Sequence, residues 1–139
     1  MSTARLLTAL SMTICASMAL AAPAAPLALD HSSSMLIDKA AALALWKESL
    51  SPKLIKLYPV ARWGFVSEVE GGFDDAKVCV VTARAMMLPR SGKSVVFQPA
   101  KTTTAFGAQA GASQEQCRVL AKAKLTEAIG ALHAALVPH

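Results

Sequence analysis

Aromatic side chains are scarce, 5% of the 139 residues, with one tyrosine and two tryptophans. Broad stacking platforms for single-stranded nucleic acid or sugar need more of them. Charged residues make up only 17%, but hydrophobic residues reach 54%, so the chain is not a disordered polar or acidic polymer. No Gly-x-Gly-x-x-Gly or Walker pattern occurs, and nucleotide cofactors therefore have no signature here. There is no Cys-x-x-Cys, the usual spacing of a redox-active dithiol. Histidine occurs three times, as His31, His133 and His139, and only His133 falls in a predicted element. A nucleophile beside a histidine that is itself oriented by an acid is therefore not indicated. Zinc is undersupplied as well, because Pro138 separates His133 from His139 and the cysteines have another use. Neither a cofactor nor a metal is expected.

What is present begins with an export pattern. Arg5 precedes an uncharged run from Leu6 to Ala22, and Pro23 follows. This is the layout of a secretory signal peptide, with Ala19-Leu20-Ala21 supplying the small residues a signal peptidase accepts. Residues 1–21 are read as the signal, with Ala22-Pro23-Ala24 as a second possible cut. The run is at or below membrane-spanning length and no basic stop-transfer cluster follows it, so no stable membrane insertion is expected after its removal. Cys15 lies inside the apolar run, and Ile14 stands where a lipid-attachment site carries Gly or Ala. The remainder is one domain's length.

Cys15 leaves with the signal, and the pair that remains in an exporting compartment, Cys79 and Cys117, reads as a disulfide. It closes a loop of about 39 residues, worth about 4 kcal/mol in the chain-entropy description.

Residues 22–34 are Ala/Pro-rich and then polar, the composition of a flexible tether, and a single domain is expected over 35–139. Leu36, Ala40, Leu43, Trp46 and Leu50 fall on one helical face, with Ser34 as the cap. Ser51-Pro52 announces a second, short helix that Pro59 ends. The period then changes to two. Gly64 to Glu70 reads as a strand, Gly71-Gly72 with Phe73-Asp74-Asp75 as its turn, and Ala76 to Met87 as the central returning strand. Met86 and Met87 point to opposite faces of it. Pro89 to Gly92 is a further turn and Ser94 to Gln98 a third strand, while 102–106 is either a fourth short strand or the bent end of the third. Gly107 to Ala112 reads as a small-residue loop. Ser113 with Gln116 makes a capping box for a long helix with Cys117, Ala121, Leu125, Ala128, Leu132 and Ala135 along one stripe. The fold class is α+β: an N-terminal helix plus a short second one, a three- or four-stranded antiparallel meander, and a long C-terminal helix packed on the sheet and pinned by one disulfide.

The densest charge is Glu68, Glu70, Asp74 and Asp75 around the first hairpin. Glu68 and Glu70 share a strand face. Four carboxylates near a Gly-Gly turn suit a solvated tip that discourages edge pairing, a contact for a basic partner, or calcium. They are the candidate partner-binding residues. The net charge is +5, with Arg90, Lys93 and Lys101 as the only local basic grouping, which reads as solubility. The function expected is that of an exported, disulfide-stabilised binding module of inhibitor, immunity or envelope-accessory type, periplasmic or secreted, without an enzymatic activity. Its partner is another envelope or secreted protein, not nucleic acid. The alternative is a small-ligand carrier or small enzyme that uses the sheet face opposite the C-terminal helix.

Overall fold

The computed structural model describes residues 25–138. Residues 1–21, read as a signal peptide, residues 22–24, read as the start of a tether, and His139 lie outside the described residues. Eight elements follow in order: β1 (Leu27–Asp30), α1 (Lys39–Ser49), α2 (Pro52–Leu57), β2 (Trp63–Phe73), β3 (Val78–Ser91), β4 (Ser94–Val95), β5 (Lys101–Ala110) and α3 (Gln114–Leu136). The architecture is α+β, with a long C-terminal helix on a mixed sheet.

The sheet runs β1-β2-β3-β5, and β4 makes a two-residue pairing with the end of β3. β2, β3 and β5 form the antiparallel meander, with β3 at the centre. β1 adds a parallel strand on β2, in register Leu27↔Gly64 through Asp30↔Ser67. Those four residues belong to the segment read as a tether. The pairing continues past the strand, since His31 N–H donates to the Ser67 carbonyl and Ser33 N–H to that of Val69, both at 2.9 Å. Asp30 fixes the register: its carboxylate accepts the Ser67 hydroxyl at 2.7 Å and that of Ser32 at 2.6 Å. Ser67 is thus a buried polar residue with its hydrogen bond made.

Alternation divides the sheet cleanly. One face presents Phe65, Val69, Cys79, Val81, Ala83, Ala85, Met87 and Ala105, all buried beneath the helices. Alanines and Gly107 form a low floor on which α3 lies close. A Cβ on Gly107 would come within 2.9 Å of Lys124 Cε and 3.1 Å of Leu120 Cδ1. The helix contributes Cys117, Ala121, Leu125, Ala128, Ile129, Leu132 and Leu136 to this core. Its capping box forms as the sequence specifies, with Ser113 Oγ accepting from Gln116 N–H and Gln116 Oε1 from Ser113 N–H. Cys79 is bonded to Cys117, both fully buried, so the first turn of α3 is fastened to the start of the central strand.

Several boundaries differ from the sequence reading. α1 starts at Lys39, because Asp38 rather than Ser34 caps it, accepting from Ala41 N–H at 2.8 Å. Its buried residues are Ala42 and Trp46, whereas Ala40 is exposed. β2 runs on through Gly71 and Gly72, where no side chain opposes the unusual backbone. Gly71 has φ +131, and a Cβ there would stand 2.0 Å from the Val80 carbonyl oxygen. The stretch 94–98 forms a strand only at Ser94–Val95, since Pro99 follows and the segment folds over the sheet instead. The stretch 107–110, read as loop, is strand, and it joins 102–106 in the ten-residue β5. Glycine suits position 107 because Leu120 and Lys124 of α3 lie against it, whereas Ala108, Gln109 and Ala110 are exposed.

Candidate functional site

Among the described residues, the second face of the sheet carries no helix. Its residues are the even-numbered ones of β2, β3 and β5, and they form rows across the strands: Val66–Met86–Thr102, Glu68–Arg84–Thr104, Glu70–Thr82–Phe106 and Gly72–Val80–Ala108. The first row is partly roofed. Val66, Met86 and Leu88 make a small second core with Leu29 and with Val95, which reaches in from β4. Met86 therefore lies in this cluster and Met87 in the main core, on opposite faces as read. The roof needs Gly64 beneath it, for a Cβ there would lie 2.5 Å from Val95 Cγ1. Backbone bonds tie the roof down, Val96 N–H to the Pro89 carbonyl and Ala100 N–H to that of Met87. Phe97 projects from it and stacks on His31 with ring centroids 6.1 Å apart and planes 9° from parallel.

Beyond the roof the face is open. Glu68 and Glu70 stand on it together, as their spacing requires. Arg84, directly opposite Glu68, donates to its carboxylate at 3.1 Å, and both side chains are partly exposed. Glu70 is exposed beside Thr82, and Phe106 on the neighbouring strand is 62% exposed. The remaining two acids do not join them. Asp74 accepts Val78 N–H at 2.8 Å and so closes its own turn, while Asp75 is an exposed turn residue. The four carboxylates thus do not converge: Glu68 is paired with an arginine, Asp74 closes a turn, Asp75 is exposed in that turn, and Glu70 faces solvent beside Thr82.

Arg84 and Thr82 are neighbours of the acids that the sequence reading missed, and Phe106 stands one strand further on, beside Thr82. A register of Glu68 against Arg84 would have revealed the pairing, but turn length alone did not fix it because β2 continues through both glycines. Arg90, read as a solubility charge, has a structural task. Its guanidinium donates to the carbonyls of Val60 at 2.6 Å, Gly92 at 2.6 Å and Ala25 at 3.1 Å, fastening the start of the described chain to two loops. His133, in the last turn of α3, sits 3.0 Å from Ser51 Oγ, the cap of α2. That hydroxyl also accepts Leu54 N–H, so the pair joins two helix ends.

Two grooves lie away from the open face. One of about 210 Å³ runs between the start of α1 and α3, lined by Leu36, Asp38, Glu115, Arg118 and Lys122 among others. The other, about 370 Å³, lies between β1 and α1 and is lined by Pro26, Ala28, Leu43, Lys47 and Leu50. Among the described residues, no helix is long and apolar enough to cross a membrane.

No protein-family model matches the chain, and no curated protein matches it. Among solved structures, it is similar to a PelC dodecamer from Paraburkholderia phytofirmans, at 14% identity and a TM-score of 0.44, over 78% of this chain and 88% of that one. A likeness so distant says nothing of what this chain binds.

Proposed function

We propose that the chain is an exported, periplasmic or secreted binding protein without enzymatic activity, and that it meets its partner through the sheet face turned away from α3. The observation that carries this reading is the one-sided burial of the sheet. Among the described residues, helices cover one face, and the other is left open over three strands with Glu68, Glu70, Arg84, Val80 and Phe106 in adjacent rows. An exposed aromatic beside aligned charges suits a protein surface. Export is supported by the signal-like sequence of residues 1–21 and by the disulfide, a bond that persists in oxidising compartments. Both grooves noted above lie on the helix side, away from this face.

The test is capture of a partner from periplasmic extract by the disulfide-intact protein, repeated with Glu68→Lys/Glu70→Lys and with Val80→Lys. Capture that succeeds with wild type and is lost in both variants, at unchanged melting temperature, supports the open face. Capture indifferent to both variants removes that face from the function.

A further inference from the structure

The sheet has two edges, and they are built differently. On one side β1 is only four residues long, Pro26 precedes it and Asp30 ends it. The outer side of β2 is covered by residues 27–33 as far as Val69, and past that point Glu70, Gly71 and Gly72 interrupt it. Short strands, charges, proline and irregular glycines are the devices by which proteins keep an edge from pairing. On the other side stands β5. Its ten residues, Lys-Thr-Thr-Thr-Ala-Phe-Gly-Ala-Gln-Ala, contain no proline and one charge, at the first position, and no strand pairs its outer side among the described residues. Its outward row of backbone N–H and C=O groups, otherwise left to water, is a template for another extended strand.

We propose that β5 pairs antiparallel with β5 of a second copy of this chain, about a two-fold axis passing beside Phe106, to give a continuous sheet across both subunits. Three features select a copy as the occupant. In the register with Phe106 opposite itself, Thr104 faces Ala108 and Thr102 faces Ala110 of the second copy, so an exposed aromatic meets its like and small residues surround it. Lys101 lies at the end of the ladder, opposite Gly111 of the second copy, and meets no like charge. The helix layer agrees. α3 lies over β5 as well as β3, since Thr103 Oγ1 donates to the Ala128 carbonyl at 2.7 Å and Lys124 lies over Gly107. With strands ~4.8 Å apart, the two α3 helices come to lie roughly 10 Å apart, the packing distance of neighbouring helices. The charges on the strip of α3 beside β5 are Lys124 and Glu127, an ion pair at 2.7 Å. A two-fold axis sets that doublet against its own reverse, so that each Lys124 approaches Glu127 of the second copy and the four charges alternate.

The inference shares Phe106 with the open-face reading but is tested apart from it, since the variants that probe that reading, at Glu68, Glu70 and Val80, lie on β2 and β3. It is tested on the disulfide-intact exported protein by sedimentation over a range of concentrations. Wild type is expected to show a reversible dimer. Phe106→Lys sets two cations face to face at the axis and is expected to weaken association at least roughly tenfold, with melting temperature unchanged because the residue is exposed. Residues opposite one another in such a ladder have Cα atoms about 4.5–5.5 Å apart, within reach of a disulfide. Phe106→Cys should therefore form a covalent dimer on mild oxidation. Thr102→Cys should not, because its two copies would stand roughly 27 Å apart. A wild type that remains monomeric at every concentration, a dimer indifferent to Phe106→Lys, or crosslinking by Thr102→Cys in place of Phe106→Cys would each overturn the proposal. A monomer that nonetheless accepts an unrelated extended peptide on β5 also overturns it.

Discussion

The disulfide offers the sharpest test of how this small domain is held together. Cys79 and Cys117 are separated by 38 positions, and both side chains are fully buried. Replacing both with alanine frees the unfolded chain from a loop of about 39 residues, which costs about 4 kcal/mol of stability in the chain-entropy description. A domain of this size has a total of about 5–15 kcal/mol, so the loss is a large share. The effect arises mainly in the unfolded state, and this has a second signature. Without the cross-link the unfolded ensemble expands and exposes more surface, so the dependence of unfolding free energy on urea should steepen as the midpoint falls. Serine in place of alanine should be worse still. Each buried hydroxyl lacking a partner adds about 1–3 kcal/mol. Urea denaturation of the oxidised wild type, the double alanine variant and the double serine variant, followed by circular dichroism, measures all three quantities. A loss under about 1 kcal/mol with an unchanged urea dependence would refute the entropic reasoning.

Other expectations follow from single contacts. Gly71→Ala meets both a positive φ and the Val80 carbonyl, so it should lower the melting temperature more than Gly72→Ala, where the space around the new methyl is empty. Arg90→Ala removes three bonds to backbone carbonyls, and hydrogen exchange should quicken around Ala25, Val60 and Gly92 together while α3 keeps its protection. Thr103→Val leaves the Ala128 carbonyl without that donor and should cost about 1 kcal/mol in chemical denaturation. Glu68→Ala breaks an ion pair between partly exposed groups and should change stability by no more than about 0.5 kcal/mol. Any slowing of partner association by the same variant should fade as salt rises.

The legible parts of this sequence were those with a long period or a specific cap. α3 announced itself by the Ser113/Gln116 box and by an apolar stripe sustained along the whole helix, and α2 by Ser51-Pro52. The central strand was legible because Val78 to Val81 is apolar on both faces, and its neighbours on either side, β2 and β5, leave it no edge. β1 was not. Four residues of alternation, Leu-Ala-Leu-Asp, are too few to stand out after an Ala/Pro run, and what makes them a strand is a parallel neighbour beginning at Gly64. The second half of β5 was hidden for the opposite reason. Gly107 looks like a loop residue until α3 is laid across it, and Ala108 to Ala110 are exposed small or polar residues with no apolar alternation. At the candidate site, the shared face of Glu68 and Glu70 followed from spacing alone. Arg84 and Phe106 required the register of three strands, which Gly71 and Gly72 obscured by carrying the ladder where a turn was expected.

The position of the disulfide bears on how copies of this chain exchange parts. The bond ties β3 to α3, and between them lie β4 and β5, so the meander's second half and the helix's first turn form a closed covalent ring. A terminal helix at the end of a chain is ordinarily the element most easily traded between subunits. Here, once Cys79 and Cys117 are joined within one chain, α3 can leave its own sheet only while its first turn stays behind. Trading the whole helix requires that oxidation occur between chains instead. The order of events, docking of α3 before or after sulfur oxidation, therefore sorts the protein into self-contained subunits or interlocked pairs, and a pulse of oxidant delivered before refolding at high concentration would populate the interlocked form.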